Sequence, residues 1–176
     1  MHEVRRLPAC LLVLALAGCD AAGGGAGAGP RGARLVDVVD GDTVKVAVGG
    51  RRETVRLIGI DTPESRRPGT PVECGAHAAT RALARLVAGD RRVRLVADPT
   101  QDRRDRYDRL LAYVELRDGR DLGEELARAG WAAPYVYDDP FRRLARYRAA
   151  AREARAQRRG IWGACEGDVH RPAGGG

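Results

Sequence analysis

Between residues 35 and 60, three segments rich in β-branched residues are separated by glycine-marked turns, and this commits the first half of the fold to antiparallel sheet. Leu35–Asp40 (LVDVVD) is bounded by Gly41. Thr43–Val48 (TVKVAV) puts a valine at every second position, Gly49-Gly50 supplies a two-residue hairpin turn, and Arg51–Ile60 returns alongside. Two further strands are predicted at Arg92–Ala97 and Leu110–Leu116, the latter closed by Asp118-Gly119. A helix is predicted over Cys74–Ala88, with Ala76, Ala79, Leu83, Leu86 and Val87 on one face and Gly89 at its end. Asp121 caps a short helix through Ala129, stopped by Gly130. A last helix starts at Asp139-Pro140, turns Phe141, Leu144, Tyr147, Ala151 and Ala154 inward, and ends at Gly160. Five short strands with a helix after the third predict an α+β, mainly β domain: a small barrel with three packed helices.

The rest of the chain is read differently. Arg5 and Arg6 precede an apolar run of eleven residues, Leu7–Ala17. As a helix it would rise about 16 Å, half a bilayer, which fits a signal peptide (residues 1–18) better than a membrane span. Its end, Leu16-Ala17-Gly18-Cys19, resembles the bacterial lipobox, in which the cysteine becomes the lipid-modified first residue. Residues 19–33 are almost all Gly and Ala and read as a tether. The domain then spans 34–165, and 166–176 is a polar, Gly-rich tail. The expected product is exported and lipid-anchored at Cys19 on the outer face of the cytoplasmic membrane, or secreted. With Cys10 in the signal and Cys19 lipidated, Cys74 and Cys165 remain, and an oxidising compartment predicts that they form a disulfide. Zinc is disfavoured, because His77 near Cys74 and His170 near Cys165 match no strong zinc spacing.

With 44% hydrophobic residues, the 176-residue chain can build one core. Its net charge of +7, carried almost wholly by arginine, favours nucleic acid or an anionic membrane as partner. Against that background the carboxylates are conspicuous. VVDGDTVKV places Asp40 and Asp42 two apart, on one face at strand spacing, and VRLIGIDTPE supplies Arg56, Asp61, Thr62 and Glu64. Either stretch alone reads as an ordinary turn. Together they offer oxygen donors for a hard cation, Ca²⁺ or Mg²⁺, beside a guanidinium that matches phosphate geometry.

These residues resemble the staphylococcal-nuclease-like, or thermonuclease, family. DRYDRLLAYV (Asp105–Val114) is similar to its second arginine motif, APYVYDDP (Ala133–Pro140) to its tyrosine segment, and the arginine-rich helix ending in GIW to its final helix. The resemblance implies a five-stranded OB-fold barrel and a monomeric, Ca²⁺-dependent endonuclease that cleaves DNA and RNA with little sequence preference, single strands favoured, leaving 3′-phosphate ends. It implies Asp42, Asp61 and the Thr62 carbonyl as metal ligands, with Asp40 behind them. Glu64 would be the general base, Arg56 and Arg109 would bind the phosphoryl oxygens, and Arg106, Tyr107, Tyr135 and Tyr137 would line the nucleotide site. The alternative is a non-catalytic OB-fold lipoprotein that binds nucleic acid or protein.

The sequence departs from this pattern, or leaves it open, at several points. Asp108 stands where the family commonly has Gly. Arg56 and Asp61, five apart, share a site only if the strand turns or bulges, and Gly59 is the expected place for it. Tyr135 and Tyr137 share a parity that suits the core equally well. Tyr113, Trp131 and Trp162 read as packing residues. The eight arginines between 142 and 159 read as a solvated helix face rather than a phosphate-binding one. No histidine belongs to the expected site.

Overall fold

The computed structural model describes residues 31–65 and 69–173. The expected signal peptide, Cys19 and most of the expected tether lie outside them. The elements are β1 (Arg31–Val38), β2 (Thr43–Val48), β3 (Arg51–Leu57), β4 (Ile60–Asp61), α1 (Ala76–Leu86), β5 (Arg92–Val96), β6 (Leu110–Leu116), α2 (Leu122–Arg128), β7 (Ala133–Pro134), α3 (Leu144–Ala156) and α4 (Ile161–Ala164). Five strands close into a barrel in the order β1-β2-β3-β6-β5, the expected OB-type architecture. The β2–β3 hairpin runs in register from Thr43 opposite Arg56 to Val48 opposite Arg51, around the Gly49-Gly50 turn. All strand pairs in the barrel are antiparallel except β3 with β6.

Alternation decides which side chains fill the barrel. Val44, Val46, Val55, Leu57, Leu95 and Val114 are buried, while Lys45, Arg92 and Arg94 between them are exposed. Each buried valine or leucine contributes about 1.5–3 kcal/mol. Strand β6 is buried on its outer face as well. There the Tyr113 hydroxyl donates to Asp98, and Glu115 pairs with Arg94 and Arg143. Asp121 caps α2, accepting from the N–H groups of Gly123 and Glu124, and also takes the hydroxyl of Tyr147 (2.8 Å) and the guanidinium of Arg143. Arg143 thus points into the molecule, unlike the solvated face expected of its helix. Trp131 is partly buried against the core, and Trp162 is half-buried beneath the guanidinium of Arg155. No helix among the described residues is long and apolar enough to cross a membrane.

The elements depart from the sequence reading in several places. β1 begins at Arg31, inside the expected tether, because Arg31–Arg34 pair with β5 and close the barrel. A backbone ladder needs no apolar side chains. α1 is shorter than Cys74–Ala88, starting after Gly75, which lies at φ 84°. The third strand stops at Leu57 and resumes after a turn as β4. α3 begins at Leu144 rather than Pro140, since Phe141 is drawn into the core and the N–H of Arg142 donates to Asp98. Beyond Gly160, a fourth helix, α4, follows where three helices were expected.

Cys74 and Cys165 form the expected disulfide, with Cα atoms 5.8 Å apart, which leaves neither thiolate for zinc. It holds the end of α4 against the start of α1. Residues 170–173, expected in the polar tail, fold back along residues 72–74: Cys74 N–H donates to the Arg171 carbonyl and Ala173 N–H to that of Val72.

Candidate active site

Three short turns build a site at one mouth of the barrel. The first carries Asp40 and Asp42 between β1 and β2. A Cβ at Gly41 would lie 2.6 Å from the Thr62 hydroxyl oxygen, so only glycine lets this turn press against the segment after β4. That approach lets Asp42 Oδ2 accept from both the N–H (3.2 Å) and the hydroxyl (3.1 Å) of Thr62. The second turn is Ile58-Gly59. Gly59 has φ 78°, and a Cβ there would meet the Phe141 ring at 2.4 Å. This is the change of direction that the spacing of Arg56 and Asp61 required, and it brings both to the same mouth. The third is the Asp105–Arg109 turn before β6.

Arg56 is the hub. Its Nε lies 3.1 Å from Asp42 Oδ1 and one terminal nitrogen 3.2 Å from Asp61 Oδ1. The other terminal nitrogen donates to the carbonyls of Leu57 (2.8 Å) and Ile60 (2.7 Å). The guanidinium is therefore fixed in orientation between the two carboxylates. Asp40 Oδ1 accepts from the N–H of Asp42. Burial first, and the adjacent Asp42 charge second, push the Asp40 carboxyl up from 3.8 to about 6. Asp61 is also raised, mainly by burial and further by Asp42, against the opposing pull of Arg56. Carboxylates crowded in this way, with burial and mutual repulsion raising Asp40 and Asp61, form an oxygen-donor set that a hard cation would relieve. Among the described residues, no group of three or more His, Cys, Asp or Glu side chains converges as metal ligands. An ion here would rest on two carboxylates completed by main-chain oxygen, water and substrate, a donor set that suits Ca²⁺ or Mg²⁺ and not zinc.

Across the mouth, Asp105 organises the second arginine. Its Oδ2 accepts from Arg109 Nε (2.7 Å), and its Oδ1 from the N–H groups of Arg109 and Tyr107. Burial opposes the charge on Asp105, but these hydrogen bonds outweigh it and hold the carboxyl below its usual value. Asp108 lies at φ 61°, the left-handed backbone expected where the family has Gly. Its carboxylate pairs with Arg104 (3.4 Å), which also takes its carbonyl (2.7 Å), so it is directed at Arg104 rather than at the neighbouring Arg109. The guanidiniums of Arg106 and Arg109 stand 4.8 and 5.4 Å from the centre of the Tyr107 ring.

All these groups line one cleft of about 950 Å³, which Asp40, Asp42, Arg56, Asp61, Thr62, Glu64, Arg106, Tyr107, Arg109, Tyr135 and Tyr137 share. Tyr107, Tyr135 and Tyr137 are 64%, 46% and 68% exposed, so parity resolves toward the cleft and not the core. Tyr113 is buried, as expected. The sequence reading missed His170, which reaches the cleft with its Nε2 3.1 Å from Asp61 Oδ2, and Glu73, whose carboxylate is 3.2 Å from His170 Nδ1. The signal that could have found them was the predicted disulfide: pairing Cys74 with Cys165 carries the residues after 165 toward Glu73.

Comparison with known proteins places this geometry. A family model described as staphylococcal nuclease homologue matches residues 54–164. Endonuclease YncB of Bacillus subtilis (strain 168) is 37% identical over 125 residues, covering 70% of this chain and 58% of the relative. The SPbeta prophage-derived endonuclease YokF of the same organism is 38% identical over 134 residues, covering 73% and 44%. Thermonuclease of Staphylococcus hyicus is 35% identical over 130 residues, covering 73% and 74%. The chain thus spans about half the length of the two Bacillus relatives and about three quarters of the staphylococcal one.

Proposed function

Because the chain belongs to the staphylococcal nuclease family, whose nucleases are generally metal-dependent, we propose that it is a Ca²⁺-dependent phosphodiesterase acting on DNA and RNA. The observation that carries this reading is the convergence of Asp42, Asp61, Arg56 and Glu64 on one cleft that also presents Arg109 and three exposed tyrosines. A surface that only bound nucleic acid would need the arginines and the rings. It would have no use for crowded carboxylates, which repel the phosphate backbone.

Asp42, Asp61 and the Thr62 carbonyl would hold the cation, with Asp40 behind them. Once bound, the cation supplies charge that offsets the phosphodiester. Glu64 takes the proton of the attacking water. Water attacks phosphorus in line, the bond to the 5′ oxygen breaks, that oxygen takes up a proton from solvent water, and the products are a 3′-phosphate and a 5′-hydroxyl. Arg56 and Arg109 present planar forks to the equatorial oxygens as charge builds there. Tyr107, Tyr135 and Tyr137, with Arg106, stack on and flank the bases without reading them, so sequence preference is weak and unpaired strands fit best. A single protomer contains every group this scheme uses.

The test is incubation of the purified protein with single-stranded DNA in Ca²⁺ or in EGTA. Cleavage in Ca²⁺ alone, leaving 3′-phosphate ends, is expected. Salt-sensitive binding without cleavage would reject the enzyme in favour of the binding module. We further propose, from the Arg5–Cys19 segment, that the protein is exported and either tethered by lipid on Cys19 outside the cytoplasmic membrane or secreted; a disulfide-closed domain suits that compartment. Fractionation of cells expressing the chain should find it with membranes, and Cys19→Ser should release it. Equal release of both forms would reject the anchor.

A further inference from the structure

Glu73 is only 4% exposed. Burying a carboxylate is costly unless it is paired and hydrogen-bonded, so its partners indicate what that cost secures. Both belong to the active-site wall. Glu73 Oε2 accepts from the N–H of Glu64 at 2.6 Å, and the N–H of Glu73 donates to the Glu64 carbonyl at 2.9 Å. The two residues are thus locked by reciprocal hydrogen bonds that fix the Glu64 main chain. On its other side, Glu73 meets His170 Nδ1, at 3.2 Å from each oxygen, and His170 Nε2 lies 3.1 Å from Asp61 Oδ2. One C-terminal residue therefore spans the residue behind Glu64 and the carboxylate opposite it.

The segment bearing His170 is stitched in place. Pro172 bridges to Glu73, Cys74 N–H donates to the Arg171 carbonyl (2.7 Å), Ala173 N–H donates to the Val72 carbonyl (2.8 Å), and the Cys74–Cys165 disulfide closes the near end.

We propose that Glu73 is a positioning residue for Glu64, and that the C-terminal segment 170–173 holds Glu73 in that role. The proposal rests on Glu64 serving as the general base. A base acts over tenths of an ångström, and misplacement by about 1 Å costs on the order of 100-fold in rate. Two hydrogen bonds at its main chain set where the Glu64 side chain starts.

The experiment compares the full chain with Glu73→Ala, Glu73→Gln and a chain ending at Asp168, which keeps the disulfide. In Ca²⁺ on single-stranded DNA, Glu73→Ala is expected to lose about 10- to 100-fold in kcat with KM within about twofold. Glu73→Gln, whose amide oxygen can accept the same N–H, recovers most of that loss. The chain ending at Asp168 falls between them. Amide exchange at Glu64, read by NMR, should be slow in the full chain and in Glu73→Gln, and faster in the other two. A Glu73→Ala kcat within twofold of the full chain would overturn the proposal, and so would a Gln variant as impaired as the Ala variant. If Glu73→Ala does not fold, an unchanged kcat in the chain ending at Asp168 overturns it instead. A full chain that cleaves nothing would count against the nuclease reading, while Glu64 amide exchange would still decide whether Glu73 holds Glu64.

Discussion

Replacing Glu64 with Gln is expected to lower kcat by about 1,000-fold while nucleotide binding stays within a fewfold of the wild type, the loss typical of removing a general base. The variant isolates charge and basicity from shape. Gln has nearly the volume of Glu, and the contacts with Glu73 run through the Glu64 main chain, which the substitution does not touch. Glu64 lines the same cleft as Asp42, Asp61 and Arg56, close enough to Asp40 that its charge helps to raise that carboxyl. The change should therefore also lower the Asp40 pKa, in the direction opposite to the loss of a cationic neighbour. Single-turnover cleavage of single-stranded DNA, alongside binding of a non-cleavable nucleotide, separates the two effects. A variant turning over at the wild-type rate would remove Glu64 as the base and leave the arginines and the cation as the whole catalytic apparatus.

How much of this was legible in the sequence depends on how far each feature's causes lie along the chain. The β2–β3 register follows from alternating valines and two adjacent glycines, all within sixteen residues. The Asp121 cap is equally local. The turn at Gly59 was legible only by combining periodicity with the need to bring Arg56 and Asp61 together, and its packing reason, the Phe141 ring, lies over eighty residues away. The start of α3 was misread because the local rule that favours proline at the first helical turn competes with burial of Phe141 and with Asp98 taking the Arg142 N–H. Arg143 looked like one more solvated arginine. Its environment of Glu115, Asp121 and the Tyr113 ring comes from two other elements. Glu73 and His170 were missed for the same reason, since neither belongs to a motif and they meet only because the chain returns on itself; the predicted Cys74–Cys165 bridge was the one pointer to that return.

Removing the Cys74–Cys165 disulfide should cost about 4–5 kcal/mol. The bridge joins residues 91 apart, so in the loop-entropy picture its absence releases the whole stretch from Cys74 to Cys165 to a larger unfolded ensemble. That is a large share of the 5–15 kcal/mol that stabilises a typical domain, and for this size it corresponds to a melting temperature lower by about 10–20 °C. Cys165 is fully buried, so Cys165→Ala is the better partner for Cys74→Ser, because a serine hydroxyl there would add its own desolvation cost. Thermal denaturation of this double variant should coincide with that of the wild type held in reductant, and both should lie well below the oxidised protein. A difference under about 3 °C would mean that the bridge does not restrict the unfolded ensemble as the loop-entropy picture requires. The link also bears on catalysis at temperatures where the variant remains folded. Cys74 follows Glu73 directly, and Cys165 precedes His170 by five residues, so the bridge anchors both chain segments that meet behind Glu64. Loss of the disulfide should therefore loosen the Glu64 amide before it unfolds the barrel.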